Sequence, residues 1–79
     1  MNQFKWLDAK TIELVGIGSA MAANCLPCLT YHVNQAMQNG CTQNEIQEAM
    51  QMGRMVKQRP AKDIEQLAEK LTISSKKNS

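Results

Sequence analysis

The sequence contains few aromatic residues: tryptophan, tyrosine and phenylalanine each occur once among its 79 residues. Leucine, isoleucine, valine, alanine and the six methionines must therefore fill the interior. Such side chains suit close-packed helices, and flexible methionine fits their irregular contacts. The composition predicts an all-α fold, a small bundle of helices.

Long hydrophobic runs are also missing. No apolar segment approaches the ~20 residues that are needed to span a bilayer. The start of the chain, from Met1 to Lys5, has no apolar stretch followed by a small-residue cleavage site, as a signal peptide would. We therefore expect no membrane partner and a cytoplasmic protein.

A strong excess of charge of one sign is absent, because the net charge is only +2. Three of the positive side chains, Lys70, Lys76 and Lys77, belong to the last ten residues and form no patch on the predicted bundle. No glycine-rich loop stands between a predicted strand and a helix. These absences argue against nucleic-acid and nucleotide binding.

The chain is short enough for only one compact domain, whose core must be small. We assign residues 1–73 to this domain and expect a disordered tail over residues 74–79, which are serine, lysine and asparagine. A small core gains stability from a partner surface. We therefore predict a homo-oligomer.

The first two helices are predicted on either side of Asn24. A dense apolar segment over residues 8–23 indicates a largely buried helix with Asp8 as its N-cap. Gly16 and Gly18 within it indicate close approach of another backbone. Asn24 ends this helix or caps the next one, which begins near Cys25 with Pro27 in its first turn.

Two further helices follow. Asn39 and Gly40 predict the end of the second helix, and the segment from Thr42 to Glu45 reads as a capping box that starts the third. Arg59 and Pro60 should interrupt the third helix. A fourth helix is predicted over about residues 61–71, with Ile64, Leu67, Ala68 and Leu71 on one stripe.

The three cysteines include a closely spaced pair, Cys25 and Cys28, and their odd number argues against a secreted disulfide scaffold. Cys25, Cys28 and His32 lie at positions i, i+3 and i+7 of the predicted second helix, on one face. A helix N-terminus and a neighbouring histidine favour the reactive thiolate, and the second cysteine of such a pair can resolve an intermediate. This arrangement is typical of a dithiol redox site.

Glu13 interrupts the apolar run of the first helix, where an ionised carboxylate is costly unless it is paired or solvated. A functional partner is one interpretation, and simple access to solvent is the other. The cysteine pair is equally open to a second interpretation as half of a zinc site, with Cys25, Cys28 and His32 as ligands. Cys41 has no partner at motif spacing and is interpreted as a buried structural thiol.

Taken together, the pattern E-x11-C-x2-C-x3-H, formed by Glu13, Cys25, Cys28 and His32, precedes a G-x-T-x-x-E-I helix start at residues 40–46. The sequence here resembles the alkylhydroperoxidase D-like and carboxymuconolactone decarboxylase family, from about Leu7 to Val56. The resemblance implies a helical core of that type that assembles as a trimer or hexamer.

The resemblance to the cysteine-containing branch also implies roles for the four residues. Cys28 would attack a small peroxide or disulfide, Cys25 would resolve the intermediate, His32 would take the proton of Cys28, and Glu13 would orient His32. An external dithiol would restore the pair, without a cofactor or metal. The branch that decarboxylates the muconolactone lacks the cysteine pair, so decarboxylation is not implied.

One position departs from the pattern, since Pro27 stands where the best-studied peroxidases of the family have a further histidine. The resemblance therefore implies a peroxidase-like or thiol-disulfide oxidoreductase enzyme without naming its substrate. Two alternatives remain beside it: a zinc-binding module, and a redox-sensing structural module whose cysteines become oxidised without turnover.

Overall fold

A computed structural model describes residues 3–59 and 64–77 of the chain. These residues contain four helices and no strand: α1 (Ala9–Ala23), α2 (Leu26–Gln38), α3 (Gln43–Lys57) and α4 (Ile64–Lys77). The predicted all-α class and the number of helices are confirmed. Within the same residues, no helix has the length and hydrophobicity required to cross a membrane.

Helix α1 begins and ends as the sequence indicates. The Asp8 side chain accepts a hydrogen bond from the backbone N–H of Thr11 at 2.8 Å, which satisfies a donor that the first turn leaves free. Asn24 ends the helix in the left-handed conformation, with φ of 59°. Of the two roles predicted for Asn24, the structure shows the first, because Cys25 is the cap of α2.

A short connection joins α2 to α3, and it includes the N-cap of α3. Gly40 has φ of +87°, a conformation that glycine adopts without strain. The Thr42 hydroxyl accepts from the Glu45 N–H at 3.1 Å, and the Glu45 carboxylate accepts from the Thr42 N–H at 2.8 Å. The predicted capping box is therefore confirmed, and it fixes where α3 begins.

Helix α1 packs against both α2 and α3. The buried centre consists of Ile17, Ala36, Cys41 and Ile46. At Gly53 of α3, a Cβ atom would lie 2.5 Å from the carbonyl oxygen of Gly18, and at Gly18 it would lie 3.3 Å from that of Ala49. The prediction of close backbone contact is thus confirmed at Gly18, whereas the neighbour of Gly16 is a side chain of α2.

An open apolar groove of about 590 Å³ runs along α1 and α3. Its walls include Leu14, Val15, Ala22, Ala49, Met52 and Val56. Val15, Met52 and Val56 are exposed, so the groove presents hydrophobic surface to solvent. An exposed hydrophobic groove is typical of an interaction surface.

Helix α4 differs from the prediction at its end. The prediction ended α4 at about residue 71, whereas the structure continues it to Lys77. The expected start at residues 61–63 lies outside the described part, as do residues 78 and 79. The sequence from 72 to 77 has neither glycine nor proline, and a helix that has formed extends at little cost. The described side chains of α4, at 64–72, are all exposed.

Candidate functional site

The cysteine pair forms a disulfide at the N-terminus of α2. The Cα atoms of Cys25 and Cys28 are 5.3 Å apart. Cys25 is the N-cap, and its sulfur accepts a hydrogen bond from the backbone N–H of Cys28 at 3.3 Å. Pro27 lies in the first turn, where the missing N–H costs nothing. Both sulfur atoms therefore lie at the positive end of the helix dipole.

The two cysteines differ in accessibility. Cys28 is exposed, whereas Cys25 is partly buried. Cys28 is therefore the more accessible of the two residues from solution. This asymmetry was not predictable from the spacing of the pair, which treats the two thiols alike.

Glu13 of α1 and His32 of α2 contact each other across the helix pair. The Oε1 atom of Glu13 is 2.7 Å from Nδ1 of His32, and their side chains are 12% and 27% exposed, respectively. An ionised carboxylate can only accept, so the hydrogen of this bond belongs to Nδ1 of the imidazole. In neutral His32, Nε2 is then the unprotonated nitrogen and is available as a proton acceptor.

His32 follows Cys28 by one helical turn, so the two residues share a face of α2. The ring of Tyr31 stands edge-on to the imidazole, with centroids 5.1 Å apart. Of the four residues predicted for the site, the structure thus joins Cys25 to Cys28 and Glu13 to His32, and α2 carries three of them on one surface.

Gly16 is a neighbour of the imidazole that the sequence did not indicate. A Cβ atom at this position would lie 2.6 Å from Cγ and Nδ1 of His32 and 2.7 Å from Cε1. The ring therefore lies directly against the α1 backbone. The sequence predicts a helix-packing role for Gly16, but no sequence pattern indicates that an imidazole lies beside it.

Cys41 belongs to a different environment. It is a free, buried thiol whose sulfur lies 3.9 Å from the carbonyl oxygen of Lys10. Burial raises the pKa of the Cys41 thiol, and the nearby negative charge of Glu45 acts in the same direction. A neutral buried thiol is a poor nucleophile, which agrees with the structural role predicted for it.

The zinc-site interpretation requires the reduced cysteine pair. Both thiols of the pair are used in the disulfide, and only deprotonated thiols bind zinc. In the part of the chain that the structure describes, no group of three or more histidine, cysteine, aspartate or glutamate side chains is arranged to hold a metal ion.

Comparison with protein-family models identifies a family for this chain. The model of the carboxymuconolactone decarboxylase family matches residues 5–68, a range that contains all four residues of the candidate site. No curated protein and no solved structure matches the chain. The family match extends beyond the segment from Leu7 to Val56 that carried the resemblance.

Proposed function

The chain belongs to the carboxymuconolactone decarboxylase family, and on that premise we propose that it is a thiol-disulfide oxidoreductase with Cys25 and Cys28 as its redox pair. The substrate class is a small peroxide or disulfide, and the electron donor is an external dithiol. One observation carries the proposal: the disulfide lies at the start of α2, one turn from an imidazole that is hydrogen-bonded to a carboxylate.

The reduced enzyme begins the cycle with a proton transfer. Nε2 of His32 accepts the proton of the Cys28 thiol, while Glu13 holds the opposite nitrogen through its hydrogen bond to Nδ1. The carboxylate also stabilises the imidazolium that forms. The cycle uses the acceptor nitrogen that the Glu13 contact leaves free, and the exposed position of Cys28 gives the substrate access to the thiolate.

The Cys28 thiolate then attacks the substrate. With a hydroperoxide, a sulfur–oxygen bond forms as the oxygen–oxygen bond breaks. The alkoxide takes the proton held by His32 and leaves as an alcohol. Cys28 is now a sulfenic acid; attack by Cys25 forms the disulfide and releases water. With a disulfide substrate, a mixed disulfide takes the place of the sulfenic acid, and the substrate leaves as two thiols.

An external dithiol closes the cycle by two exchange steps. Its thiolate attacks the sulfur of Cys28, which is an exposed residue, and Cys25 leaves as a thiolate. The hydrogen bond from the Cys28 N–H to the Cys25 sulfur and the positive end of α2 both favour that leaving group. The second thiol of the donor then passes its proton to His32 and displaces Cys28, which takes that proton from His32.

The first test follows the cysteines by mass spectrometry. Reduced protein is treated with one equivalent of an organic hydroperoxide and then with a dithiol, and zinc is determined on the same sample. We expect a reversible loss of two hydrogen atoms that maps to Cys25 and Cys28, while buried Cys41 stays a thiol. Bound zinc together with thiols that resist oxidation would contradict the proposal and favour the metal-binding module.

A second measurement separates an enzyme from a redox sensor. Peroxide or disulfide consumption is followed with excess dithiol and a small amount of protein. Many substrate molecules reduced per protein chain indicate turnover. Stoichiometric oxidation that stops after one cycle indicates the sensor instead.

The proposal includes a homo-oligomer. The groove between α1 and α3 exposes hydrophobic side chains, and α4 presents a stripe of exposed hydrophobic residues, Ile64, Leu67 and Leu71. An amphipathic helix gains most of its stability by burying such a stripe. We assign the groove to α4 of a second copy, because both exposed hydrophobic surfaces occur in one chain and their helices are of similar length.

Native mass spectrometry and light scattering test this assembly. Leu67→Glu on α4 and Met52→Glu in the groove should each lower the oligomeric state, whereas Gln51→Glu, an exposed change on α3 outside the groove lining, should not. A monomeric wild-type protein, or variants that assemble like it, would contradict the assignment.

A further inference from the structure

We propose that Gly16 is a positioning residue that holds the imidazole of His32 against Glu13. The inference rests on the proposed function, in which this imidazole takes the proton of Cys28. Gly16 has no side-chain chemistry of its own. Its missing side chain leaves room for the imidazole ring.

The imidazole of His32 contacts both Glu13 and Gly16 on one face of α1. Gly16 follows Glu13 by three residues, so the carboxylate and the bare Cα atom share a face of α1. The imidazole contacts both, because Nδ1 bonds to the carboxylate at 2.7 Å while Cγ, Nδ1 and Cε1 lie where a Cβ atom of residue 16 would be. The atoms that a methyl group would displace therefore include the nitrogen that bonds to Glu13.

The other glycines of these helices have a different purpose. Gly18 and Gly53 lie against backbone carbonyl oxygens, those of Ala49 and Gly18, respectively. They allow α1 and α3 to approach. Gly16 has His32 as its near neighbour, and so its missing side chain serves the imidazole rather than the contact of two backbones.

Alanine at position 16 has a specific expected consequence. Carbon contacts settle at about 3.5–4.0 Å, so the ring would have to move outward by close to an ångström. The hydrogen bond between Nδ1 and Glu13 would lengthen or change its angle. It would then no longer keep the hydrogen on Nδ1. The helix propensity of alanine, by contrast, stabilises α1, because alanine forms helices better than glycine.

The single histidine of the chain makes the test direct. Long-range 1H–15N NMR spectra of the neutral imidazole report which nitrogen carries the hydrogen. We expect one tautomer, with the hydrogen on Nδ1, in the wild-type protein and in Gly18→Ala, the matched control on the same helix. In Gly16→Ala we expect both tautomers and a pH titration that differs from that of the wild type.

Thiol reactivity gives the second readout on the full chain. The alkylation rate of Cys28 in reduced protein is measured against pH. In Gly16→Ala the midpoint should move to higher pH by about half a unit or more, a fall of about threefold in rate at neutral pH. Gly18→Ala should keep the wild-type midpoint, and thermal unfolding should show that both variants fold.

A third measurement needs no variant. In wild-type protein, the α protons of Gly16 and the Hε1 proton of His32 should show a strong nuclear Overhauser effect. Its absence would overturn the proposal, as would a Gly16→Ala protein with wild-type tautomer and midpoint. A wild type that oxidises its thiols without turnover refutes the proposed function, yet the imidazole spectra still decide the position of His32.

Discussion

Helix α1 contacts α2 on one side and α3 on the other, and the two contacts are built differently. Toward α3, backbone meets backbone, because Gly53 lies against the carbonyl oxygen of Gly18. Toward α2, a carboxylate meets an imidazole, Glu13 with His32, and Gly16 leaves room for the ring. Gly18 and Gly53 thus allow two backbones to approach, whereas Gly16 leaves room for a side chain.

This difference teaches that stability and chemistry are separable in a very small protein. The α1–α3 contact brings two helix backbones together at Gly18 and Gly53, and its ion pair, Lys10 with Glu45 at 3.6 Å, is exposed. The α1–α2 contact includes the polar pair that the proposed reaction uses. Changes on the first side should alter the free energy of unfolding, and changes on the second should alter thiol chemistry in a folded protein.

The largest effect is expected from the sulfur that we assign as attacker. Cys28→Ser should lower dithiol-dependent turnover by about a thousandfold or more, since a nucleophile is removed. Cys41→Ser, which changes the buried free thiol, is the matched control and should keep most of the activity. Turnover that survives in Cys28→Ser and disappears in Cys41→Ser would reverse the assignment.

Glu13→Gln is expected to have the next largest effect. Glutamine keeps the size of the side chain but has no charge to stabilise the imidazolium. Turnover should fall by about tenfold to a hundredfold, less than for direct loss of a proton-transfer group, because Glu13 acts through His32. Glu65→Gln, an exposed change on α4 outside its hydrophobic stripe, controls for the lost charge. Equal activities of the two variants would remove Glu13 from the mechanism.

Gly53→Ala tests the packing side of the comparison. The new Cβ atom would lie 2.6 Å from that of Met21, so α1 and α3 must move apart. Overpacking of this kind costs about 1–3 kcal/mol of stability, measured by urea unfolding. The His32 tautomer in the folded variant should remain that of the wild type. A change of the His32 tautomer without a loss of stability would contradict the separation between helix packing and thiol chemistry.

The smallest effect concerns the cap of α1. The hydrogen bond from Thr11 lowers the pKa of Asp8 below its ordinary value of 3.8. The stabilising contribution of the ionised form is therefore complete above that ordinary value and is lost as the pH falls through the lowered one. Asp8→Asn should flatten this part of the stability–pH curve, while the α1–α3 and α1–α2 contacts remain. Identical acid unfolding of both proteins would contradict this account.

The sequence predicted the local features of the fold well. Asp8, Thr42 and Gly40 act through hydrogen bonds or backbone angles within a few residues, so their roles follow from the residue types alone. The position of the cysteine pair at the start of α2 follows in the same way, with Pro27 marking the first turn. The match to the family model confirms the resemblance that Glu13, Cys25, Cys28, His32 and residues 40–46 carried.

Features that depend on contacts between distant residues were not predictable. The sequence shows Gly16 as a glycine within a helix, and only the packing of α2 reveals the ring beside it. The different exposure of Cys25 and Cys28 likewise depends on the whole bundle. The end of α4 was misjudged because a polar composition resembles disorder even where nothing in the sequence stops a helix.

Asn24 connects three parts of this architecture at one point. It ends α1 in the left-handed conformation, directly precedes Cys25, and accepts a hydrogen bond through Oδ1 from the Lys57 side chain at the end of α3, at 3.1 Å. Glycine satisfies the backbone but has no acceptor, whereas glutamine has an acceptor but disfavours this backbone angle. The position beside the cysteine pair therefore accepts few replacements, chiefly aspartate, even though Asn24 has no role in the proposed reaction.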